Sequence, residues 1–374
     1  MFETKKDKFK GYKLKNKIFF VLDDSVGPPV KASFNDANFH LECFSSMNNE
    51  TKSGKKSNKN YSRMPVIGEL AEVEEFPKYT CTKTLQGHSE KIVSLIQLES
   101  GLIVTGDQGN NIYFWDLEQQ KYIKKIKVDG NALSLLEFSP NYLLVGLGEK
   151  DQDNNNNNNN YIELINLSSE DKEILFKFPG HELWVNCLEK CNDKIFASAS
   201  NDYTIKIWDY YERKEIRKID AHEDCIMSLI KLENGNLCSG GADLLIKIWD
   251  WKIGTCIYQM VGHTNWIKCL CQIDNDTILS GSDDKTIKIW KKYEESGTLE
   301  GHQKPIRSIC KINNNFFSSA SFDNTIKIWD LQNLKCVQTL TGHESNVIKI
   351  IKLKDSSTLV SCSFDKTIKI WDQI

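Results

Sequence analysis

The chain has 374 residues, 40% of them hydrophobic and 26% charged, with a formal net charge of −3. That balance removes any global electrostatic drive toward nucleic acid or an anionic membrane, and no apolar run approaches the roughly 20 residues of a membrane helix. The length suits one large domain or two to three average ones.

Residues 1–79 form one compositional region and 80–374 another. The start is lysine-rich, but the apolar run Ile18–Leu22 is too short for a signal-peptide core. Glu3 and Asp7, with no arginine nearby, argue against a mitochondrial presequence, and Phe2 excludes N-myristoylation. No prenylation cysteine stands at the C-terminus. Scattered apolar and aromatic residues between Lys5 and Ser46, with Gly27-Pro28-Pro29 as a turn, predict a partly ordered extension of unassigned role. The polar stretch 45–62 reads as a flexible linker. His40 and Cys43, in FHLECF, are the sole His and Cys of the region, so no four-ligand zinc site can be completed there.

From residue 80 a period takes over. Gly-His, or Ala-His in one case, falls at 87–88, 180–181, 221–222, 262–263, 301–302 and 342–343. Trp follows at 115, 208, 249, 290, 329 and 371, with steps of 41, 41, 39 and 42 residues from Trp208 onward. The 93-residue gap from Trp115 to Trp208 holds one more, degenerate round, in which IKVDGNALSLLEF (126–138) replaces the Gly-His segment and YIELIN (161–166) replaces TIKIWD. Inside a round, runs such as KIFASAS and TIKIWD are short, β-branched and bounded by turn residues, as strands are. Four strands per round make a small meander sheet that cannot cover both its faces alone. Seven such sheets packed face to face can.

Most of the twelve cysteines occupy strand positions filled elsewhere by Ser, Val, Leu or Ile, for example Cys187, Cys225, Cys269, Cys310 and Cys362. Burial as small hydrophobes accounts for them. There is no CxxC pair, and neither Cys187/Cys191 nor Cys269/Cys271 has partners at zinc spacing. The expectation is no metal, no cofactor and a reducing compartment, cytoplasmic or nuclear.

The spaced Gly-His and Trp-Asp ends resemble the WD-repeat β-propeller family over residues 80–374. The resemblance implies an all-β, seven-bladed propeller. It departs from the pattern in round two, which lacks His, Asp and Trp, and at Lys291, where Trp-Asp becomes Trp-Lys. Each round ends at a third strand, so the last needs an outer strand. TCTKTLQGH (80–88) matches KCVQTLTGH (335–343), and residues 80–86 are expected to close the ring on the seventh blade, leaving no open edge there.

His181, Ser198 and Asp202 have hydrolase residue types, with Trp208 beside them. The set recurs as His222, Ser239, Asp243, Trp249; as His263, Ser280, Asp284, Trp290; as His302, Ser319, Asp323, Trp329; and as His343, Ser361, Asp365, Trp371. A catalyst needs one such site with an oxyanion hole and a pocket, whereas five copies at one spacing are architecture. The resemblance implies the same, a hydrogen-bonded tetrad inside each blade. Round one keeps His88, Thr105 and Trp115 but has Gly109 in place of Asp, so its network is expected to be incomplete and blades one and two the softest. The lysines of the TIKIW segments (206, 247, 288, 327, 369) are expected to be solvent-seeking heads on apolar stems, not a nucleic-acid track.

Function is then expected where the rounds differ. In the resembled family, the residues three and five after the Gly-His histidine and the one before the tetrad Asp rim one mouth of the central channel. Carried onto this chain, those positions give Lys91, Trp184, Asn186, Met227, Trp266, Lys268, Asp283, Arg307, Phe322 and Phe364 as the candidate partner surface. Aromatic residues, Met and Arg are the usual anchors of protein interfaces. The reading is a non-enzymatic scaffold or adaptor that binds a protein or peptide on this face. A ubiquitin-ligase substrate receptor is the alternative, but it would want a helical, Leu-Pro-rich motif in 1–79, which is absent from the sequence. An enzyme using the channel lacks a unique constellation. The asparagine run within 149–160 is expected to be a disordered loop opening on the same mouth.

Overall fold

The computed structural model describes residues 76–148, 161–169 and 173–374, together with the backbone of four strands between Phe9 and Cys43. In the unit spanning 1–75, two antiparallel hairpins pair Phe9–Leu14 with Lys17–Leu22 and Val30–Asn35 with Asn38–Cys43. The expected linker at 45–62, the Gly27-Pro28-Pro29 turn and the insertion at 149–160 lie outside the described residues.

Each round folds into four antiparallel strands laid side by side in chain order. Blade three shows the pattern, with Val185–Lys190 innermost, then Ile195–Ser200, Thr204–Asp209 and Lys214–Asp220 outermost. Blade one runs from Ile92 to Lys127, blade two from Asn131 to Phe178, and blade four from Ile226 to Val261. Blade five spans Ile267–Leu299, blade six Ile306–Leu340, and blade seven Val347–Gln373. Blade seven takes its fourth strand from the other end of the repeat region. Tyr79–Leu85 pairs antiparallel with Ile368–Gln373, with Leu85 opposite Ile368 and Tyr79 opposite Gln373. The architecture is an all-β, seven-bladed propeller.

The core lies between blades. The second strand is buried along its whole length in every blade but the second, because residues such as Ala197, Ala199, Ser280 and Ala320 are small enough to sit under a neighbouring sheet. Ile205 and Ile207 of blade three pack with Ile226, Leu229, Leu237 and Trp249 of blade four in one apolar cluster. Each fully buried Ile or Leu contributes roughly 1.5–3 kcal/mol, so the blade-to-blade seams hold the ring. Blade two keeps this apolar packing through Leu143, Val145, Leu147 and Ile165, although its polar network is gone.

Two local devices repeat. The turn between second and third strands carries a left-handed residue at one position in six blades, Asn110, Tyr203, Leu244, Lys285, Asn324 and Lys366. Aspartate side chains hold that turn, as when Asp284 Oδ1 accepts from Thr286 N at 2.9 Å. Every inner strand is also bulged near its start, so that Val93, Leu133, Asn186, Met227, Lys268, Arg307 and Ile348 fall outside the ladder pairing. A bulge frees one residue from the ladder and re-aims its side chain.

Candidate functional site

The five tetrads are formed. In blade five, His263 Nδ1 lies 2.7 Å from Asp284 Oδ2 and its Nε2 2.7 Å from Ser280 Oγ, while Trp290 Nε1 donates to the same Ser280 Oγ at 2.7 Å. Blades three, four, six and seven repeat this, with His–Asp distances of 2.7–2.9 Å and His–Ser distances of 2.6–2.8 Å. An ionised Asp fixes the imidazole proton on Nδ1. Nε2 then accepts the serine proton and serine accepts from the indole, so every polar atom of the chain is used. Burial works against the Asp284 charge, but the His263 and Thr286 hydrogen bonds outweigh it and hold this carboxyl well below its usual range. Burial likewise pushes His181 below the ordinary histidine value, which keeps it neutral. These histidines are 4–7% exposed and have no room for substrate.

Blade one overturns an expectation. Its network is complete, because Asp107 replaces the missing Asp from two residues earlier. His88 Nδ1 sits 2.9 Å from Asp107 Oδ2, Nε2 sits 2.8 Å from Thr105 Oγ1, and Trp115 Nε1 donates to Thr105 at 2.8 Å. Asp107 is wholly buried and also accepts from the backbone N–H of Gly109 and Asn111. It stands opposite Ile92 in the register, where Ser200 stands opposite Val185 in blade three. The acid is one strand position from the turn, and the expectation looked only in the turn. Blade two has no tetrad. Near the equivalent edge, Asp129 Oδ2 accepts from Tyr161 Oη at 2.8 Å and from Lys177 Nζ at 2.7 Å, a partly exposed cluster.

The repeated lysines also differ from expectation. Four of the ammonium groups are paired within their own blades and the fifth, Lys247, just outside its own. Lys206 is buried against Glu215 at 2.5 Å, Lys288 pairs with Glu295, and Lys327 and Lys369 donate to Thr339 and Thr84 at 2.9 Å. Lys247 donates to the Ala221 carbonyl at 2.9 Å. Among the described residues no cluster of three or more His, Cys, Asp or Glu could hold a metal ion, and the described cysteines are unbridged. Of the cysteines expected to be buried, Cys269 and Cys362 are, whereas Cys187, Cys225 and Cys310 are half-buried.

The rim residues separate into two arcs. On blades three and four, Trp184 is 40% exposed, while Asn186 spends its amide on Asn201 Oδ1 at 2.6 Å and the Ile226 carbonyl at 2.8 Å. Met227 is half-buried. On blades five to one, cations sit over rings: Lys268 Nζ is 4.2 Å from the Trp266 ring centre, Arg307 5.4 Å from Phe322, and Lys91 5.1 Å from Phe364. Trp266 is 42% exposed, whereas Phe322 and Phe364 are half-buried, 6.0 Å apart, and packed on the apolar cluster that includes Leu85 and Ile348. Asp283 Oδ2 is 3.6 Å from Lys268 Nζ, but its Oδ1 is buried without a hydrogen-bond partner. Burial, then the neighbouring Arg307 charge, lowers Lys268 to about 8. Burial raises Asp283.

Sequence reasoning passed over Leu183 and Tyr203, both more than 40% exposed in the same set of loops as Trp184. It also passed over Lys349. That lysine stands opposite Cys362, at the register position filled by Ser94, Ser134, Cys187, Ser228, Cys269 and Ser308 in the other blades. Aligning the inner strands alone would have singled it out.

A family model described as WD domain, G-beta repeat matches residues 79–116, 172–209, 213–250, 254–291, 293–330 and 334–372. The unmatched interval, 117–171, contains the first three strands of the degenerate second blade. Ribosome biogenesis protein YTM1 of Meyerozyma guilliermondii is 28% identical over 134 residues, 33% of this chain and 27% of that protein. The Debaryomyces hansenii protein of the same name is 28% identical over 140 residues, 36% of this chain and 29% of its own. Cilia- and flagella-associated protein 57 C of Tetrahymena thermophila is 34% identical over 104 residues, 27% of this chain and 8% of that protein. The matched part of the chain thus spans less than a third of the length of these relatives. Six matched repeats, covering more than half of the chain and each spanning the outer strand of one blade with the first three strands of the next, show that it belongs to the WD40, or G-beta, repeat family.

Proposed function

We propose that the protein is a non-enzymatic scaffold or adaptor that binds a protein or peptide on the face carrying Trp184 and Trp266, in a reducing cytoplasmic or nuclear compartment. The observation that carries this reading is the exposure of those two indoles. Every tetrad Trp is at most 4% exposed, whereas Trp184 and Trp266 are 40% and 42% exposed, at positions that other blades fill with Lys, Cys, Pro or Asn. A half-exposed Trp leaves apolar area that a partner can bury, and buried Trp is a common interface anchor. Tetrad histidines closed off from solvent support a scaffold over a catalyst. Relatives named for ribosome biogenesis and for cilia and flagella each match only about a third of this chain, so the likeness selects no pathway.

Affinity purification with the intact chain, against a Trp266→Ala, Phe322→Ala double variant, tests the reading. Partners should be recovered by the first and lost from the second while its melting curve remains cooperative. An identical set of partners from both would place binding elsewhere.

A further inference from the structure

Three consecutive blades each send a cation toward the channel mouth. Lys268 and Arg307 are the bulged residues of their inner strands, and Lys349 replaces a small residue. In four blades the small residue donates across the seam to the next inner strand. Ser94 Oγ reaches the Ala132 carbonyl at 2.6 Å, Ser134 that of Val185 at 3.1 Å, Cys187 that of Met227 at 3.3 Å, and Ser308 that of Ile350 at 3.4 Å. Lys349 is exposed instead, and its charge is felt by Cys187 and Glu189 of blade three and by Cys269 of blade five. An exposed position on an innermost strand turns this lysine toward the channel.

Arg307 is the sharper signal. Its Nε is buried and has no hydrogen-bond partner, although it is a charged donor in a site already crowded by Lys268. Leaving a buried charged donor unpaired is costly, and folded proteins avoid it. The acids present do not satisfy it. Asp283 leans on Lys268, and Glu189 is held largely by burial at about 7. The Phe322 ring packs against the guanidinium, and Arg307 as a residue keeps part of its surface exposed. Guanidinium is the side chain best shaped to grip two oxygens of a carboxylate or phosphate. A free ion would fill the charge but leave Trp266, Trp184 and Leu183 bare, so the occupant carries apolar groups as well.

Building on the binding face proposed above, we propose that the mouth receives an anionic side chain, carboxylate or phosphate, from a peptide segment of the partner. Arg307 donates to two of its oxygens, Lys268 and Lys349 supply the remaining charge, and flanking apolar residues of the segment cover Trp266. In the arc of blades three and four the Asn186 amide is already spent on Asn201 and the Ile226 carbonyl.

The test pans the full-length protein against two random short-peptide libraries, one of ordinary residues and one that includes phosphoserine. Recovered peptides are then titrated by fluorescence anisotropy. The expected result is one position held by Asp, Glu or phosphoserine, with the favoured library naming the source of the anion. Arg307→Ala should weaken those peptides about tenfold or more, and Arg307→Glu should turn the preference toward Lys or Arg. Melting curves of both variants confirm that they are folded. Recovered peptides with no acidic position, an acid preference that survives Arg307→Ala, or inorganic phosphate binding without any enrichment of acidic peptides would each overturn the inference. If peptides without an acid still depend on Trp266, the inference fails and the binding face stands. If binding is indifferent to Trp266→Ala as well, both fail.

Discussion

Asp283 and Asp284 are neighbours in one turn, yet their surroundings push them in opposite directions. Asp284 belongs to a tetrad. Burial alone would raise it, but His263 and Thr286 bind its charged form and hold it low. Asp283 faces the channel mouth with one oxygen unpartnered, and burial raises it in spite of Lys268 and Arg307. The tetrads are buried polar groups with every atom paired, and such groups fix a blade in one arrangement. At the mouth two buried polar atoms, Asp283 Oδ1 and Arg307 Nε, are left unpaired, which a fold retains at a cost and a ligand can relieve. Two kinds of buried charge thus mark two kinds of task.

The comparison breaks first, and with the largest effect, at ring closure. A chain lacking residues 1–70 keeps the strand Tyr79–Leu85 and should melt cooperatively. Removing 1–88 takes that strand, its ladder to Ile368–Gln373 and the His88 network, and should cost on the order of 5 kcal/mol, enough to unfold many domains. Equal melting temperatures would show that the seventh blade closes otherwise. Next, His263→Ala should cost about 3 kcal/mol in a denaturant titration, because it strips a buried Asp and Ser of their partner. Asp107→Ala should cost a comparable 2–3 kcal/mol by the same rule, whereas a blade one without a network would lose almost nothing.

At the mouth the sign should reverse. Arg307→Ala removes a buried cation that has no hydrogen-bonded partner at Nε, so its melting temperature should equal or slightly exceed the parent's. A marked drop would mean that Arg307 is structural. The smallest effect is a pH slope. Lys268 is lowered from 10.5 to about 8 by burial and then by Arg307, with Asp283 and Cys225 also facing it. Between pH 8 and 10.5 the unfolded chain binds more protons at this site, so its contribution to stability rises with pH. Lys268→Met should lose that upward slope. For the tetrad carboxyls the window is acidic. Asp284 is depressed, so its contribution is complete above the ordinary Asp range and is lost as pH falls through its lower folded value. An acid-melt series on Asp284→Asn would show that loss abolished.

The propeller was legible because its rule is periodic. Six Trp positions, with five Gly-His pairs and one Ala-His, give the blades, and the match of 80–88 to 335–343 gives the closing strand. The tetrads were readable for the same reason. Asp107 was not, since an acid moved by two residues keeps its chemistry and loses its place in the pattern, and only the register shows its carboxylate reaching His88. The outward lysines misled because alternation tells which way a side chain leaves the strand and not what it meets on the neighbouring strand. Glu215 and Thr339 meet Lys206 and Lys327 there. At the mouth the sequence offered Arg307 and Lys268 as rim residues. That they crowd one arc with Lys349, and that Arg307 Nε has no partner, depends on how three bulged strands converge.

One experiment sets the two regions against each other directly: thermal melts of the parent, His263→Ala and Arg307→Ala, each with and without a selected acidic peptide. A peptide at about 100 times its Kd stabilises a competent fold by roughly 2.7 kcal/mol. The parent and His263→Ala should both gain that increment, His263→Ala from a much lower starting temperature. Arg307→Ala should melt where the parent melts and gain almost nothing. If Arg307→Ala instead starts as low as His263→Ala and still rises with peptide, the unpaired charge belongs to the scaffold, and the division between the two regions is wrong.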